Sequence, residues 1–168
     1  IVSKIHNLKH RIVISLMSAS VKLTLDEVHS LSIEVLSHAG FGQAHAQAIA
    51  NMLYTCQLDD CQSHGLFRLF MCIETIKAGK IDPQILPTVH ETEASIIHAD
   101  ARGGMSLLAI DSAMPKLIEK TRKHGIAALA VNHCFHFSAL WPEVERLSRA
   151  GLAAMALSLI HIRRCRRT

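Results

Sequence analysis

The sequence is poor in aromatic residues, in proline and in long apolar runs. Aromatics make up 4% of its 168 residues, with one Trp and one Tyr, so the core has to be aliphatic, built from Leu, Ile, Val, Ala and Met. No stretch approaches the roughly eighteen consecutive apolar residues of a membrane-crossing helix. Ile12 to Met17 is too short for the apolar part of a secretory leader and lacks its small-residue cleavage site. The five cysteines, Cys56, Cys61, Cys72, Cys134 and Cys165, form no C-x-x-C pair and no finger spacing. Reduced thiols in a cytosol are expected, and with them a cytoplasmic protein. No G-x-G-x-x-G follows a strand-like segment, which leaves a Rossmann cofactor site without support, and P-loop, H-E-x-x-H and G-x-S-x-G motifs are missing too.

What is present is a chain long enough for one domain with a true core, 49% apolar and free of low-complexity runs. The formal charge of +4 is carried by the ends. Lys4, Lys9 and Arg11 precede Met17, and Arg163, Arg164, Arg166 and Arg167 follow residue 162. The stretch between holds 11 basic against 14 acidic residues, a net −3. A mildly acidic body with basic ends is no nucleic-acid-binding surface. Residues 1–16 read as translated upstream sequence before a natural start at Met17. Residues 157–168 resemble the translation of a sequencing adapter, against the plainer reading of a basic tail.

Thr24-Leu-Asp-Glu27 is a capping box, followed by the helical stripe Val28, Leu31, Val35 and Leu36 with Gly40 as the stop. A second helix is expected over 43–58, with Ala46, Ile49, Ala50, Leu53 and Tyr54 inward. A third is expected from His64-Gly65 to Gly79. Residues 81–87, with two prolines, read as an extended linker, and Ala94 to Ala99 as a short strand. Arg102-Gly-Gly104 is a turn before a helix over 106–124, which Pro115 should kink or break. The continuous apolar run 126–131 suits a strand covered on both faces. Pro142 opens a helix through Arg149, and 152–156 begins another strand. The fold class is α/β: a helical N-terminal part (17–92), then the start of a mixed sheet with helices (93–156).

Most of the twelve histidines are scattered; His29, His38, His45, His90 and His124 fall on polar helix faces or ends and read as solvated. His133 and His136 come closest to a cluster, and no metal site is expected. Two segments carry chemistry. In Asp59-Asp60-Cys61-Gln62-Ser63-His64-Gly65-Leu66-Phe67-Arg68 an imidazole and a guanidinium stand four residues apart, on one face if the helix starts at His64. That pair suits a carboxylate substrate: the Arg grips the carboxylate, and the His exchanges a proton near neutral pH. On the local pattern alone, a capping Ser63 with solvated His64 and Arg68 is the stronger reading. The second segment, Asn132-His133-Cys134-Phe135-His136-Phe137-Ser138-Ala139-Leu140-Trp141-Pro142, follows an apolar run directly, where loops often carry function. Its plainer reading is packed aromatics with incidental histidines.

Taken together, Ser63 to Arg68, Gly125 to Val131, and His136-Phe-Ser-Ala-Leu-Trp-Pro-Glu-Val-Glu145 resemble the malate/L-lactate dehydrogenase-like family, which is unrelated in fold to the Rossmann enzymes of those names. The likeness runs from about Val21 to Ala156 in order and spacing. Where most of the family reads H-F-G-A with a following Gly-Tyr pair, His136-Phe-Ser-Ala-Leu-Trp-Pro142 is similar to the Δ1-piperideine-2-carboxylate/Δ1-pyrroline-2-carboxylate reductase branch. The resemblance implies a non-Rossmann NAD(P)-binding fold, a homodimer, and hydride transfer from NADPH, or NADH, to a cyclic imino acid. It implies His64 as acid/base residue with Ser63 in the proton path, Arg68, His136 and Trp141 on the substrate, and His136 and Ser138 by the cofactor. Gln62 departs from the pattern, since close relatives often carry His there. The resemblance also implies a C-terminal half that supplies an acidic partner for His64 and much of the cofactor pocket. A 2-oxo acid dehydrogenase of the same family is the alternative within this fold, and a non-catalytic binding module the alternative outside it.

Overall fold

The computed structural model describes residues 21–157 apart from 93, 94 and 137. Expectations for residues 1–16 and 157–168 therefore lie outside the described residues, save for Leu157, which is exposed.

Three helices come first: α1 (Leu25–His38), α2 (Gln43–Leu58) and α3 (Arg68–Lys77), with a short 3-10 turn, Gln62–His64, between the last two. The capping box closes α1 in both directions. Glu27 N–H donates to Thr24 Oγ1 at 3.2 Å, and Thr24 N–H donates to the Glu27 carboxylate at 2.8 Å. The far end of α1 closes through Gly40, whose φ of 106° is open to glycine, with Phe41 N–H on the Leu36 carbonyl at 3.0 Å. The buried pair Leu36 and Phe41 then joins Ile49, Leu53, Cys56, Leu69 and Cys72 in the main core.

A mixed three-stranded sheet follows. Strand β1 (Thr88–Glu91) pairs antiparallel with β2 (Ile96–Asp100), and β2 pairs parallel with β3 (Ala128–Asn132). Helix α4 (Ser106–His124) makes the crossover between the parallel pair and lays Ala109, Ala113, Met114 and Leu117 on Ile97 and Ala99. Helix α5 (Trp141–Arg149) comes last and ends at Gly151. The α/β architecture with a helical N-terminal layer is as the sequence reading has it.

Five expectations are corrected. The third helix starts at Arg68, not His64, because the chain at Gly65 (φ −83°, ψ −145°) leaves helical geometry. Strand β1 arises where no strand is expected; Thr88-Val-His-Glu91 is too short to show a pattern and forms because β2 offers it a ladder. Pro115 does not break α4, which runs on through it as one helix. Among the described residues strand β3 is covered on one face only: it lies at the edge of the sheet, with Leu129 and Val131 half-buried against α4 and Ala128 and Ala130 exposed. Residues 152–156 form no strand, having no neighbouring strand among the described residues to pair with.

Candidate active site

The turn between α2 and α3 carries the candidate chemistry. After α2, Asp60 takes a left-handed conformation (φ 54°), its N–H donates to the Gln57 carbonyl at 3.2 Å, and Cys61 N–H donates to the Cys56 carbonyl at 2.7 Å. This double closure at a helix C-terminus reverses the chain over a buried residue. The 3-10 turn that follows presents Ser63 and His64 at the protein surface, with His64 half-buried. Gly65 lies under Gln57, and Leu66 N–H donates to Gln57 Oε1 at 3.2 Å.

Within the turn, Ser63 Oγ lies 3.1 Å from His64 Nδ1, and the Cys61 thiol lies 3.8 Å from both of those atoms. Arg68 does not share a helical face with His64. It returns to the turn by another route, donating from Nε to the Ser63 carbonyl at 2.9 Å and from one Nη to Met71 Sδ at 3.0 Å. Partial burial, and then the Arg68 charge, hold His64 below its ordinary pKa. The imidazole is thus a weak base and a ready proton donor once protonated.

The second segment reaches this turn through Trp141. Its ring stands edge-to-face with His64, the ring centres 6.5 Å apart and the planes at 75°. Its indole N–H donates to Asp59 Oδ2 at 2.8 Å, across 82 residues of chain. Apolar packing joins the two segments as well, since Phe135, Trp141, Cys61 and Leu66 all rest on the helical core.

His136 and Ser138 occupy the loop after β3, at the carboxyl end of the parallel pair. His136 Nδ1 lies 2.9 Å from the hydroxyl of Ser106, the buried first residue of α4, and burial lowers its pKa. The Ser138 hydroxyl is buried and donates to the Ala139 carbonyl at 2.6 Å, with Glu143 Oε1 3.2 Å away. Burial in turn pushes Glu143 above the usual carboxylate range. No hydrogen bond ties His136 or Ser138 to His64. A cavity of about 320 Å³ lies between α2, α4 and α5, lined by Asn51, Thr55, Asp111, Glu143 and Arg146 among others, and none of Ser63, His64, Arg68, His136, Ser138 and Trp141 lines it.

Two histidine readings change. His45 is not solvated: it is 2% exposed, its Nε2 lies 2.8 Å from the Ile85 carbonyl, and burial lowers its pKa. It sits on the inner face of α2, against the linker and Gly104. His133, which with His136 makes the only approach to a histidine cluster in the sequence, pairs with Asp100 at 3.1 Å. Among the described residues no three His, Cys, Asp or Glu side chains converge on a metal position. The sequence reading includes Asp59 and Cys61 in the first cluster without giving either a role, and it misses Ser106, which nothing local marks.

Comparison with known proteins places the chain in a family. The chain is 50% identical over 143 residues to Delta(1)-pyrroline-2-carboxylate reductase 1 of Burkholderia ambifaria, covering 85% of this chain and 42% of that protein. It is 46% identical over 141 residues to a Delta(1)-pyrroline-2-carboxylate/Delta(1)-piperideine-2-carboxylate reductase of Pseudomonas aeruginosa, covering 84% and 42%. The delta1-piperideine-2-carboxylate reductase of Pseudomonas syringae superposes with a TM-score of 0.76 at 29% identity, over 79% of this chain and 40% of that one. The chain thus spans less than half the length of the curated relatives it matches. Malate dehydrogenase of Entamoeba histolytica, at 22% identity, shares the fold with a TM-score of 0.72 over 79% of this chain and 37% of its own. Among the described residues no helix is long and apolar enough to cross a membrane. The Malate/L-lactate dehydrogenase family model matches residues 23–160, more than half of the chain, and the chain belongs to that family.

Proposed function

We propose that the whole protein reduces the C=N bond of a cyclic ketimine carboxylate, Δ1-pyrroline-2-carboxylate or Δ1-piperideine-2-carboxylate, to L-proline or L-pipecolate, with NADPH or NADH as hydride source. The observation that carries this reading is the meeting of His64 with Trp141, which puts a proton-exchanging imidazole and a flat apolar wall side by side next to Arg68. The names of the relatives at 46–50% identity support the same substrate class.

A nicotinamide cofactor, when bound, would supply the hydride that C2 of the imine takes up. The chain's own residues bind, orient and protonate the substrate. Arg68 holds the substrate carboxylate, its Nε already braced on the Ser63 carbonyl so that the guanidinium has little freedom left to lose. His64 gives a proton to the ring nitrogen as C2 takes hydride, so the C=N bond becomes a CH–NH unit and the imidazole is left neutral. Ser63, 3.1 Å from Nδ1, orients the ring and lies in the path by which the proton is restored. Trp141 packs against the apolar face of the cyclic substrate.

The donor set after β3 fits the polar edge of a nicotinamide. His136 is fixed through Nδ1 on Ser106 and keeps Nε2 without a hydrogen bond among the described residues. Ser138 is committed inward and holds that loop in place. The position agrees with the general rule that ligands of α/β sheets bind beyond the carboxyl ends of parallel strands. We assign the acidic partner of His64 and the rest of the cofactor pocket to parts of the protein beyond this chain, and propose a cytoplasmic homodimer.

Turnover of the full-length protein on Δ1-pyrroline-2-carboxylate against oxaloacetate tests the reading. A higher kcat/KM on the imine is expected; faster oxaloacetate reduction would replace the reading by that of a 2-oxo acid dehydrogenase.

A further inference from the structure

We propose that Asp59 is a positioning residue of this site: its carboxylate fixes the Trp141 indole edge-on to His64 and so sets the wall that the substrate ring meets. The proposal rests on the reading of the site given above and gives a role to Asp59, the first residue of the Asp59–Arg68 cluster, to which the sequence alone assigns none.

Three observations converge on Asp59. First, it is the capping residue of α2, and its place is set on both sides. Its own N–H donates to the Thr55 carbonyl at 3.0 Å, and the next two residues close the helix end by bonds to the Gln57 and Cys56 carbonyls. The carboxylate therefore projects from a rigid point just ahead of the 62–64 turn. Second, the indole has a single hydrogen-bond donor, and it is directed at Asp59 Oδ2 at 2.8 Å. An exposed Asp at a helix end is ordinarily hydrated; here it accepts from an aromatic residue 82 positions later. Third, Trp141 is the first residue of α5, so its backbone is held while the ring keeps two torsions to settle. Packing on the helical core limits one side of the ring, and the Asp59 bond limits the other. With both in place the ring meets His64 at 75°. Without the carboxylate, nothing in the described residues holds the N–H end, and the indole can turn across the space beside His64.

The same helix end thus anchors both partners of the site. Cys61 N–H on the Cys56 carbonyl ties down the turn bearing His64, and Asp59 ties down the ring that faces it. Such a device affects the fit of a flat ring more than it affects the proton itself, which makes Asp59 a determinant of substrate binding.

The experiment uses the full-length protein with Asp59→Ala, Asp59→Asn and Trp141→Phe. Kinetics on Δ1-pyrroline-2-carboxylate are read together with the near-ultraviolet circular dichroism of Trp141, isolated by subtracting the Trp141→Phe spectrum. Asp59→Ala is expected to raise KM by roughly three- to ten-fold, the equivalent of one net hydrogen bond, with a smaller change in kcat, and to weaken the indole signal. Asp59→Asn, whose amide oxygen still accepts the N–H, is expected to recover most of both losses. In a Trp141→Phe background, Asp59→Ala should add little. An unchanged KM and an unchanged indole signal in Asp59→Ala would overturn the proposal, as would an Asp59→Asn that fails as fully as Asp59→Ala. If the wild-type protein leaves the imine unreduced, the proposed reaction falls, and the spectral comparison alone decides for or against Asp59.

Discussion

The side-chain oxygen of Gln57 occupies the place where a β-carbon on Gly65 would stand, and it accepts the N–H of Leu66 from there. Gly65 is therefore required by close approach, not by an unusual backbone angle, since its φ is −83°. Gly65→Ala forces the Gln57 amide aside and leaves the half-buried Leu66 N–H without its acceptor. We expect a loss of about 1–2 kcal/mol in stability, measured by urea unfolding, and a fall in activity because the displaced bond borders His64. Gly65→Ala in a Gln57→Ala background should cost clearly less. Equal losses in the two backgrounds would contradict the contact.

His45 makes stability depend on pH. Its imidazole is lowered by burial, and it is bonded to Ile85 through Nε2 while Nδ1 is buried without a partner. A histidine whose folded pKa is depressed stabilises the fold above its unfolded pKa, about 6.5. That contribution is lost as pH falls from there through the folded value, because the unfolded chain then binds more protons. His64 and His136 are shifted the same way and add to the trend. Melting temperature should therefore drop between about pH 7 and pH 5. His45→Gln, which keeps a donor for the Ile85 carbonyl, should flatten part of that slope. A slope as steep as that of the wild type in His45→Gln would place the effect elsewhere.

Much of the fold was readable because local signals and tertiary structure agree. The capping box at Thr24, the stops at Gly40 and Gly151, and the apolar stripe of α2 each have one physical meaning, and the structure honours it. What was not readable depends on distant partners. His45 looks like a polar-face histidine until the linker at Ile85 is laid over it. Strand β1 exists only because β2 is beside it, and β3 reads as doubly covered though the described residues cover one face. In the site, Ser63, His64 and Arg68 were legible as residue types. Their geometry was not, because Gly65 breaks the helix between them and Arg68 returns through the Ser63 carbonyl. The meeting of His64 with Trp141, and the Asp59 bond behind it, arise from packing alone.

Arg68 should act on binding. Its proposed contact to the substrate carboxylate is present in both the ground state and the transition state, so Arg68→Ala should act mainly on KM in the full-length protein. A charge-assisted bond of roughly 1.5–3 kcal/mol corresponds to about ten- to a hundred-fold. Arg68→Lys should recover only a small part, since an ammonium keeps the charge but cannot both grip a carboxylate in a fork and brace on the Ser63 carbonyl. An Arg68→Ala variant with unchanged KM and a reduced kcat would assign the residue to the turn's structure instead.

The most direct test of the account is NADPH consumption and L-proline formation, followed together in the full-length protein and its His64→Ala variant across pH. With His64 as the proton donor at a bond whose charge changes in the transition state, kcat on Δ1-pyrroline-2-carboxylate should fall by on the order of 10²–10⁴-fold. KM should change little, and the pH dependence in the imidazole range should disappear. The two signals should stay in one-to-one proportion in the wild type. A His64→Ala variant that keeps the wild-type kcat and pH profile on this imine and on oxaloacetate would contradict the assignment of the turn as the catalytic centre.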